Sequence, residues 1–399
     1  MILNFQKYQY FYQFTQKQPN ELKQKYIILT SIYKQKQVIG KGSFGKVFLV
    51  ELIQEQKIYA MKVIKKKTIQ SDRHLRHIIT ERQILEQIDN QFIVKLRYAF
   101  QSDTKLYLVV DFMNGGELFY HLQKLGSFSE ITTKFYAAQI VLGLQYLHDK
   151  NIIYRDLKSQ NVLLDQNANA KLIDFGLSKI DVIGHSLCGT PEYLAPGIVL
   201  SEHGHVKTVD WWSFGILLYE MLTGSPPFYS NDKKQMFNKL TSMEIQFPPH
   251  ISKDAQNLIS RLLVAEPTER LGYGNDGTTN VMQHPFFKEI NWNMLNNMKI
   301  KSPLNLNIQK ANDIRFFDNE YLLQKPIDSP SSFLTQQLEF QDFSYNKKQL
   351  YILYFIELFN QKISLFNKEN VENDQVEPFS FTQGLKADEN LFILQKQIK

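Results

Sequence analysis

The chain has 399 residues, 43% of them hydrophobic, which is enough to bury a sizeable core in two or three domains. Charged residues make up 22% and the net charge is +6, without the dense cationic stripe of a nucleic-acid-binding protein. The single cysteine, Cys188, excludes an intramolecular disulfide and fits a reducing compartment. We therefore expect a soluble, monomeric protein of the cytoplasm, with the nucleus as an alternative, and no nucleic-acid partner.

The two ends of the chain carry no signal for secretion or membrane insertion. Residues 1–32 lack the apolar core of a signal peptide and show no clean period, so they are predicted to be a poorly ordered leader. The longest apolar run, residues 350–356, is far shorter than the roughly 20 residues of a membrane-spanning helix. No transmembrane segment is expected, and residues 346–399 are an extension of unknown role, either partner-binding or without function.

Hydrophobic periodicity divides the chain into a strand-rich part and a helix-rich part. Residues 33–112 alternate at period two, with a strand over 106–112, and are interrupted by one helix over 71–88. After Gly115 and Gly116 the pattern becomes helical, with helices over 135–148 and 211–222, the second apolar nearly all round. This order predicts an α+β protein of two lobes, 33–112 and 113–289, followed by a tail over 290–345.

A glycine-rich loop joins the first two predicted strands. Its G-x-G-x-x-G-x-V pattern consists of Gly40, Lys41, Gly42, Ser43, Phe44, Gly45, Lys46 and Val47. Glycines let backbone N–H groups approach phosphate oxygens closely. A dinucleotide-binding turn would need a helix to begin at the glycines, whereas this sequence continues as a strand. The loop is therefore predicted to be a hairpin that covers phosphates.

A lysine and a glutamate complete the predicted phosphate-binding region. Lys62 lies on the strand after the loop, within reach of the α- and β-phosphates of a nucleotide. A surface lysine is the ordinary alternative for such a position. Glu81, on the following helix, is a suitable ion-pair partner and makes the phosphate-binding interpretation the stronger one.

Three oxygen-bearing residues supply the chemistry that phosphate transfer requires. Asp156, in a loop after a helix, is the carboxylate for the attacking hydroxyl, and Asn161 and Asp174 are hard-oxygen ligands for Mg²⁺. Lys62 and Lys158 face the charge that develops on the transferred group. With the glycine loop, these residues indicate transfer of the γ-phosphoryl group of ATP.

Residues 33–345 resemble the AGC group of serine/threonine protein kinases, in appearance closest to the ribosomal-protein kinases and the protein kinase A, B and C types. The motifs that carry the resemblance are Tyr154-Arg155-Asp156, Lys158, the run Gly189-Thr190-Pro191-Glu192-Tyr193 and the tail segment Arg315-Phe316-Phe317-Asp318. It implies a bilobal kinase fold with a β-rich small lobe holding one regulatory helix, a mainly helical large lobe and a C-terminal tail. It also implies an ATP- and Mg²⁺-dependent enzyme. A pseudokinase that binds nucleotide as a scaffold is the alternative.

The resemblance assigns further residues to the site. Thr190 would bridge Asp156 and Lys158, and Asp210 would brace the catalytic loop. The adenine pocket would be lined by side chains of both lobes, the hinge and the tail: Val47, Ala60, Val110, Asp111, Met113, Leu163 and Phe317.

The resemblance also implies control by an upstream kinase. Ser186 corresponds to the activation-loop phosphosite, and a phosphate there would gather the cations of His77, Arg155 and Lys179 and order the loop. Ser329 corresponds to the turn motif.

The hydrophobic motif at the end of the tail has its own implied role. Phe340 and Phe343 would fill an apolar groove on the small lobe and hold the Glu81 helix inward, and Ser344 would carry a phosphate.

The substrate preference follows from acidic residues at the cleft. Glu117 and Glu220 match sites that bind arginines before the target serine or threonine. Ser159 and Gln160 replace the usual Pro-Glu, which removes a third acidic site. We therefore expect protein substrates with Arg at −3 and weaker selection at −2.

One further departure concerns the large lobe. Gly197 stands where a glutamate normally pairs with a buried arginine, here Arg270. Removing one partner of a buried ion pair commonly costs about 3–5 kcal/mol. Either Arg270 finds another acceptor, or the large lobe is less stable.

Overall fold

The computed structural model describes residues 32–42, 45–69, 71–180, 190–195, 207–327, 340 and 343–346. Tyr33–Tyr345 forms one compact unit. Several predicted features lie outside the described residues: the leader, the extension, Ser43, Phe44, Ser186, Cys188, Gly197 and Ser329.

The strands, numbered in chain order, are β1 Tyr33–Gly42, β2 Gly45–Leu52, β3 Lys57–Lys65, β4 Leu96–Gln101, β5 Lys105–Asp111, β6 Gly116–Glu117, β7 Ile152–Ile153, β8 Val162–Leu164, β9 Ala170–Leu172, β10 Lys179–Ile180 and β11 Tyr345–Asn346. The helices are α1 Asp72–Gln87, α2 Leu118–Leu125, α3 Glu130–Asp149, α4 Thr208–Thr223, α5 Lys233–Ser242, α6 Lys253–Leu262, α7 Gly277–Met282, α8 Trp292–Asn296 and α9 Asn319–Leu322. Short 3₁₀ helices cover Lys66–Thr68, Ser159–Asn161, Pro191–Tyr193 and Pro285–Phe287.

The small lobe is built on one sheet in the order β1-β2-β3-β5-β4-β11. β1 and β2 pair antiparallel from Tyr33 opposite Leu52 to Gly42 opposite Gly45, which confirms the predicted hairpin at the glycine loop. The pairing of Val47 with Lys62 across β2 and β3 sets the lysine directly beside that hairpin. The sheet therefore fixes the position of the lysine relative to the loop.

Helix α1 is the one α-helix among the described residues of the strand-rich part, and its bounds are close to the predicted ones. It begins after Ser71, whose hydroxyl accepts a hydrogen bond from the His74 N–H and satisfies one of the free donors of the first turn. Its buried side chains are Ile78, Glu81, Ile84 and Leu85. The burial of a glutamate on the apolar face marks a position with a partner on the neighbouring sheet, Lys62 of β3.

The large lobe is organised around α3 and α4. The helix predicted over 135–148 begins five residues earlier, because the Ser129 hydroxyl accepts the Thr132 N–H and supports a polar first turn that hydrophobic periodicity does not reveal. Every residue of α4 from Thr208 to Leu222 is buried, in agreement with its all-round apolar sequence. Within the described part of the chain, no helix has both the length and the apolar character to cross a membrane.

Arg270 is buried in this lobe, with 2% of its surface exposed, and its hydrogen bonds go to main-chain carbonyls. It donates to the carbonyls of Val264 at 2.9 Å, Thr208 at 2.9 Å and Ala265 at 3.1 Å. Its guanidinium also lies 5.2 Å from the ring centre of Trp212. Burial lowers the pKa of Arg270 to about 10, against the opposing charge of Glu266. Arg270 therefore finds other acceptors, and these are main-chain carbonyls rather than a glutamate.

The backbone of the tail passes very close to Gly116 of the short strand β6. Gly116 has φ +72°, and a Cβ atom placed on it would lie 2.6 Å from the Phe316 carbonyl oxygen. A residue with a side chain would be both strained and in collision with the tail. Glycine at this position therefore lets the tail pass over the hinge between the lobes.

This close approach predicts that Gly116→Ala loosens the tail as well as straining the backbone. We expect a lower melting temperature and faster tryptic cleavage at Lys310 and Arg315. Gly126→Ala is the matched control, because Gly126 has φ +80° but open space around its Cβ position. Equal melting temperatures and cleavage rates in the two variants would contradict a tail held against Gly116.

Candidate functional site

The predicted lysine–glutamate pair is formed between β3 and α1. The Lys62 Nζ atom lies 2.7 Å and 2.8 Å from the two carboxylate oxygens of Glu81. Burial disfavours the charged lysine, but the carboxylates of Glu81 and Asp174 outweigh it and raise the pKa of Lys62. The lysine is thus held protonated beside the glycine loop, where it can bind phosphate oxygens.

Above Lys62, apolar side chains of the sheet form a cluster that continues into the tail. Ile39, Leu49 and Ala60 are its buried members. Partly buried side chains pack against them: Val47, Ile58, Val110, Phe112, Ile314, Phe317 and Leu322. The ring centres of Phe112 and Phe317 are 5.5 Å apart with nearly parallel planes. The structure therefore brings together four predicted adenine-pocket residues: Val47, Ala60, Val110 and Phe317.

The other predicted adenine-pocket residues lie elsewhere around this cluster. Leu163 on β8 and Met113 after β5 pack against the main core. The Asp111 carboxylate is engaged by Arg97 through two 2.7 Å hydrogen bonds. Its backbone N–H donates to the Lys95 carbonyl at 3.1 Å, so both the side chain and the N–H are already engaged within the small lobe. Sequence reasoning missed Ile39 and Leu49, although strand alternation with Val47 on β2 would have identified Leu49.

The catalytic loop brings four predicted residues into contact. The Asp156 carboxylate accepts from the Asn161 Nδ2 at 2.7 Å and lies 3.1 Å from the Lys158 Nζ. The Thr190 hydroxyl donates to Asp156 at 3.3 Å and accepts from Lys158 at 2.9 Å. A carboxylate, a cation and a hydroxyl thus contact one another, in the arrangement that the resemblance implied for Thr190.

Asp210 braces this loop from α4. Its carboxylate accepts the backbone N–H groups of Tyr154 at 2.9 Å and Arg155 at 2.7 Å, and the ring of His148 contacts it at 2.8 Å. Arg155 has φ +65°, an unfavourable conformation for a side chain with a Cβ atom. The buried carboxylate stabilises that turn, which directs Asp156 toward the cleft.

Asn161 and Asp174 are suited to hold Mg²⁺ with a nucleotide. The Asn161 amide nitrogen is used by Asp156, which leaves its oxygen as a ligand. Asp174 has an exposed carboxylate and φ +58°, beside the fully buried Phe175. No group of three His, Cys, Asp or Glu side chains converges on a metal position in the described ranges. Two protein oxygens supplemented by phosphate oxygens is the coordination that Mg²⁺ favours.

Two of the predicted phosphate-binding cations lie near each other. Burial lowers the pKa of His77, and the charges of Arg73 and Arg155 lower it further. The Arg155 Nε donates to the Leu177 carbonyl at 2.6 Å, and Lys179 lies on β10 two residues later. Arg155 therefore contacts the segment that contains Lys179 and leads to Ser186, which itself is outside the described residues.

The two acidic residues predicted to bind substrate differ in accessibility. Glu117 lies at the surface with its side chain accessible. The partial desolvation of its carboxyl group and the nearby Asp318 carboxylate raise its pKa, whereas the Lys158 ammonium lowers it. Glu220 is only 3% exposed and accepts hydrogen bonds from Ser159 and Tyr193. Glu117 can be reached by a substrate, whereas Glu220 lacks the accessible carboxylate that its predicted role assumed.

The hydrophobic motif lies against the small lobe through both side chains and backbone. Phe340 and Phe343 are 8% and 2% exposed and belong to the main core. Gln101 donates to the Phe340 carbonyl at 2.8 Å and accepts its N–H at 3.3 Å. The Lys66 ammonium lies 5.2 Å from the Phe340 ring centre and donates to the same Gln101. Ser344, next to this anchor, is exposed.

Comparison with known proteins gives one consistent result. Residues 33–287 match the family model described as the protein kinase domain. The chain is 44% identical over 318 residues to the serine/threonine-protein kinase gad8 of Schizosaccharomyces pombe, covering 78% of this chain and 55% of that protein. It is 48% identical to protein kinase 2 of Dictyostelium discoideum, covering 73% of this chain and 61% of that protein.

A vertebrate relative gives the same picture. The serine/threonine-protein kinase Sgk1 of Danio rerio is 46% identical over 289 residues, which cover 71% of this chain and 66% of that protein. The chain thus spans little more than half to two thirds of these relatives.

The environment of Asp156 predicts a pH dependence of phosphate transfer. Burial raises its pKa above that of an ordinary aspartate, against the Lys158 charge and the hydrogen bonds of Lys158 and Asn161. Since the ionised form accepts the proton, the rate should fall as pH drops through this raised pKa. Lys158→Met removes the opposing cation, so the acid limb of the kcat profile should move to higher pH. Lys158→Arg, which keeps the charge, is the control, and an unmoved limb in Lys158→Met would contradict this assignment.

Proposed function

The chain belongs to the protein kinase family, within the AGC group of serine/threonine kinases, and we propose that it transfers the γ-phosphoryl group of MgATP to serine or threonine hydroxyls of proteins. The observation that carries this proposal is the contact of Asp156, Lys158 and Thr190 in one cluster. A pseudokinase would have no need to keep this geometry together with the Lys62–Glu81 ion pair.

Each member of the cluster has a definite part in such a reaction. Asp156 accepts the proton of the attacking hydroxyl, which orients that oxygen toward the phosphorus atom. Lys158 faces the transferred group and offsets its developing negative charge, while Thr190 keeps the lysine and the aspartate at fixed spacing. Positioning and charge, rather than covalent chemistry by the protein, carry the catalysis.

The nucleotide would bind between the lobes. Val47, Ala60, Val110 and Phe317 offer an apolar surface for the adenine, and Lys62 offers its charge to the α- and β-phosphates. Asn161 and Asp174 would hold Mg²⁺, which neutralises charge on the phosphates when bound. The bond from the β-phosphate oxygen to the γ-phosphorus breaks as the substrate oxygen attaches, and ADP leaves.

A basic residue before the target is the expected recognition element. Glu117 and Asp318 face the cleft edge close enough to influence one another's charge, and Lys158 is near them. Two neighbouring carboxylates favour a guanidinium over a neutral side chain. This arrangement supports Arg at −3 of the substrate.

Activation would follow phosphorylation by an upstream kinase. Arg155 and Lys179 would offer positive charge to a phosphate on Ser186, and that phosphate would offset the positive charges that lower the pKa of His77. Phosphate on Ser344 and Ser329 would act on the tail, which contacts the small lobe at Phe340 and Phe343. The enzyme would act as a monomer in the cytoplasm.

Transfer of radiolabelled phosphate to a peptide with Arg at −3 tests the function directly. With Ser186 phosphorylated, we expect transfer that disappears in Asp156→Asn, because the proton acceptor is lost. Replacing the peptide's arginine by alanine should lower kcat/KM about tenfold or more, and Glu117→Ala should remove most of that discrimination. Glu289→Ala, which removes an exposed carboxylate paired with Lys134 at 2.8 Å, should leave it intact. ATP binding without transfer would instead support the scaffold alternative.

The packing of Phe340 against the small lobe leads to a second, independent prediction. Phe340→Ala removes the ring that packs against Lys66, so the tail should detach and α1 should lose support on one side. We expect kcat/KM to fall several-fold and the melting temperature to drop. Leu323→Ala is the control, since Leu323 is a tail residue with 86% of its surface exposed. Unchanged kinetics and melting in Phe340→Ala would contradict a supporting role for the tail.

A further inference from the structure

Glu220 is the centre of a buried group of three polar side chains. It lies near the end of α4 and is 3% exposed, while Ser159 is 0% and Tyr193 is 5% exposed. The Ser159 hydroxyl donates to one carboxylate oxygen at 3.2 Å, and the Tyr193 hydroxyl donates to the other. The Ser159 N–H also points at the Tyr193 hydroxyl oxygen, 3.5 Å away. Each carboxylate oxygen is therefore occupied by a neutral hydroxyl.

No cation compensates this carboxylate within the part of the chain that the structure describes. The ion pairs of that part leave Glu220 out, and the neighbouring Lys158 pairs with Asp156 instead. Burial raises the pKa of Glu220, whereas the hydrogen bonds of Tyr193 and Ser159 lower it. The two hydroxyls are thus what makes a buried carboxylate tolerable at this position.

The two hydroxyls come from the two segments that must meet for phosphate transfer. Ser159 directly follows Lys158 in the catalytic loop. Tyr193 ends the 3₁₀ helix that follows Thr190, and its N–H donates to the Thr190 carbonyl at 2.9 Å. The segments are therefore joined twice, once through Asp156, Thr190 and Lys158, and once through Ser159, Glu220 and Tyr193.

We propose that Ser159 is a positioning residue: with Tyr193 it holds Glu220 as a buried clamp that keeps the catalytic loop and the Thr190 segment in register, and so withdraws this carboxylate from substrate binding. The proposal rests on the proposed kinase function. It deepens that function by leaving Glu117 as the carboxylate that binds a substrate cation, since Glu117 is exposed whereas Glu220 is only 3% exposed. Selection should consequently be confined to −3, with no preference for arginine at −2.

Ser159→Ala tests the clamp because it removes one donor and little volume. We expect kcat to fall about five- to tenfold while the KM for ATP changes less than twofold, since the nucleotide pocket is untouched. Ser159→Thr, which retains the hydroxyl, should recover most of the rate. Ser302→Ala is the matched control: it breaks a serine–tyrosine hydrogen bond of 3.0 Å, to Tyr136, outside the catalytic loop. Wild-type kcat in Ser159→Ala would overturn the proposal.

Two further measurements separate positioning from a general loss of stability. Ser159→Ala and Tyr193→Phe should be non-additive in kcat, because either change opens the same clamp. In hydrogen–deuterium exchange, Ser159→Ala should speed exchange in residues 156–161 and 190–195 alone, and Ser302→Ala should not. This readout needs no activity, so it tests the clamp even if wild-type protein transfers no phosphate. Unchanged exchange in those two segments would refute the clamp.

Substrate selection supplies the last readout. For the wild-type enzyme, peptides with Arg or Ala at −2 should differ less than twofold in kcat/KM when Arg is kept at −3. A tenfold preference for Arg at −2 that is lost in Glu220→Gln would overturn the withdrawal of Glu220 from substrate binding. Absence of transfer to every peptide would count against the proposed function and leave the exchange result to decide on the clamp.

Discussion

The catalytic loop depends on two carboxylates that are buried on a single helix. A carboxylate taken out of water must have its oxygens occupied, and Asp210 and Glu220 meet this requirement with groups of the loop itself. Asp210 accepts the N–H groups of Tyr154 and Arg155, and Glu220 accepts the Ser159 hydroxyl. The two lie ten residues apart, about 15 Å along the axis of α4. Because α4 is buried on all sides, the loop inherits its rigidity from the core of the large lobe.

The small lobe applies a different constraint, in which the sheet and the tail act together. The register of β2 and β3 places Lys62 opposite Val47, and Glu81, which is buried on α1, provides its counter-charge. The tail contacts both ends of this arrangement, through Phe317 at the apolar cluster and through Phe340 beside Lys66. Two stretches of the tail therefore pack around the region of the ion pair, although both lie far from Lys62 and Glu81 in the sequence.

The sequence was most informative where a feature is local. Strand alternation, the helix over α1 and the order of catalytic residues follow from spacing, and the structure brings Asp156, Lys158, Thr190 and Asn161 into contact. Spacing alone does not reveal what a side chain meets across the fold. We expected an accessible carboxylate at Glu220. It is instead buried and accepts hydrogen bonds from Ser159 and Tyr193, which come from other segments.

Arg270 illustrates the same limit from the other side. The sequence posed a choice between a new acceptor and a weakened lobe, because its usual partner position holds Gly197. Three carbonyls, two from one loop and one from the start of α4, serve as the acceptors. Main-chain acceptors have no sequence signature, so only the folded chain could identify them. The ends of the helices shifted for a related reason, since caps such as Ser129 are polar and fall outside hydrophobic periodicity.

The position of Phe317 has a thermodynamic consequence. This residue belongs to the tail, yet it stacks on Phe112 and packs in the cluster that offers a surface to the adenine. Tail docking and nucleotide binding are then thermodynamically linked. If the docked tail raises the affinity for nucleotide by some factor, bound nucleotide raises the docking equilibrium constant of the tail by the same factor. A nucleotide bound between the lobes would thereby slow proteolysis of the tail segment around Phe317.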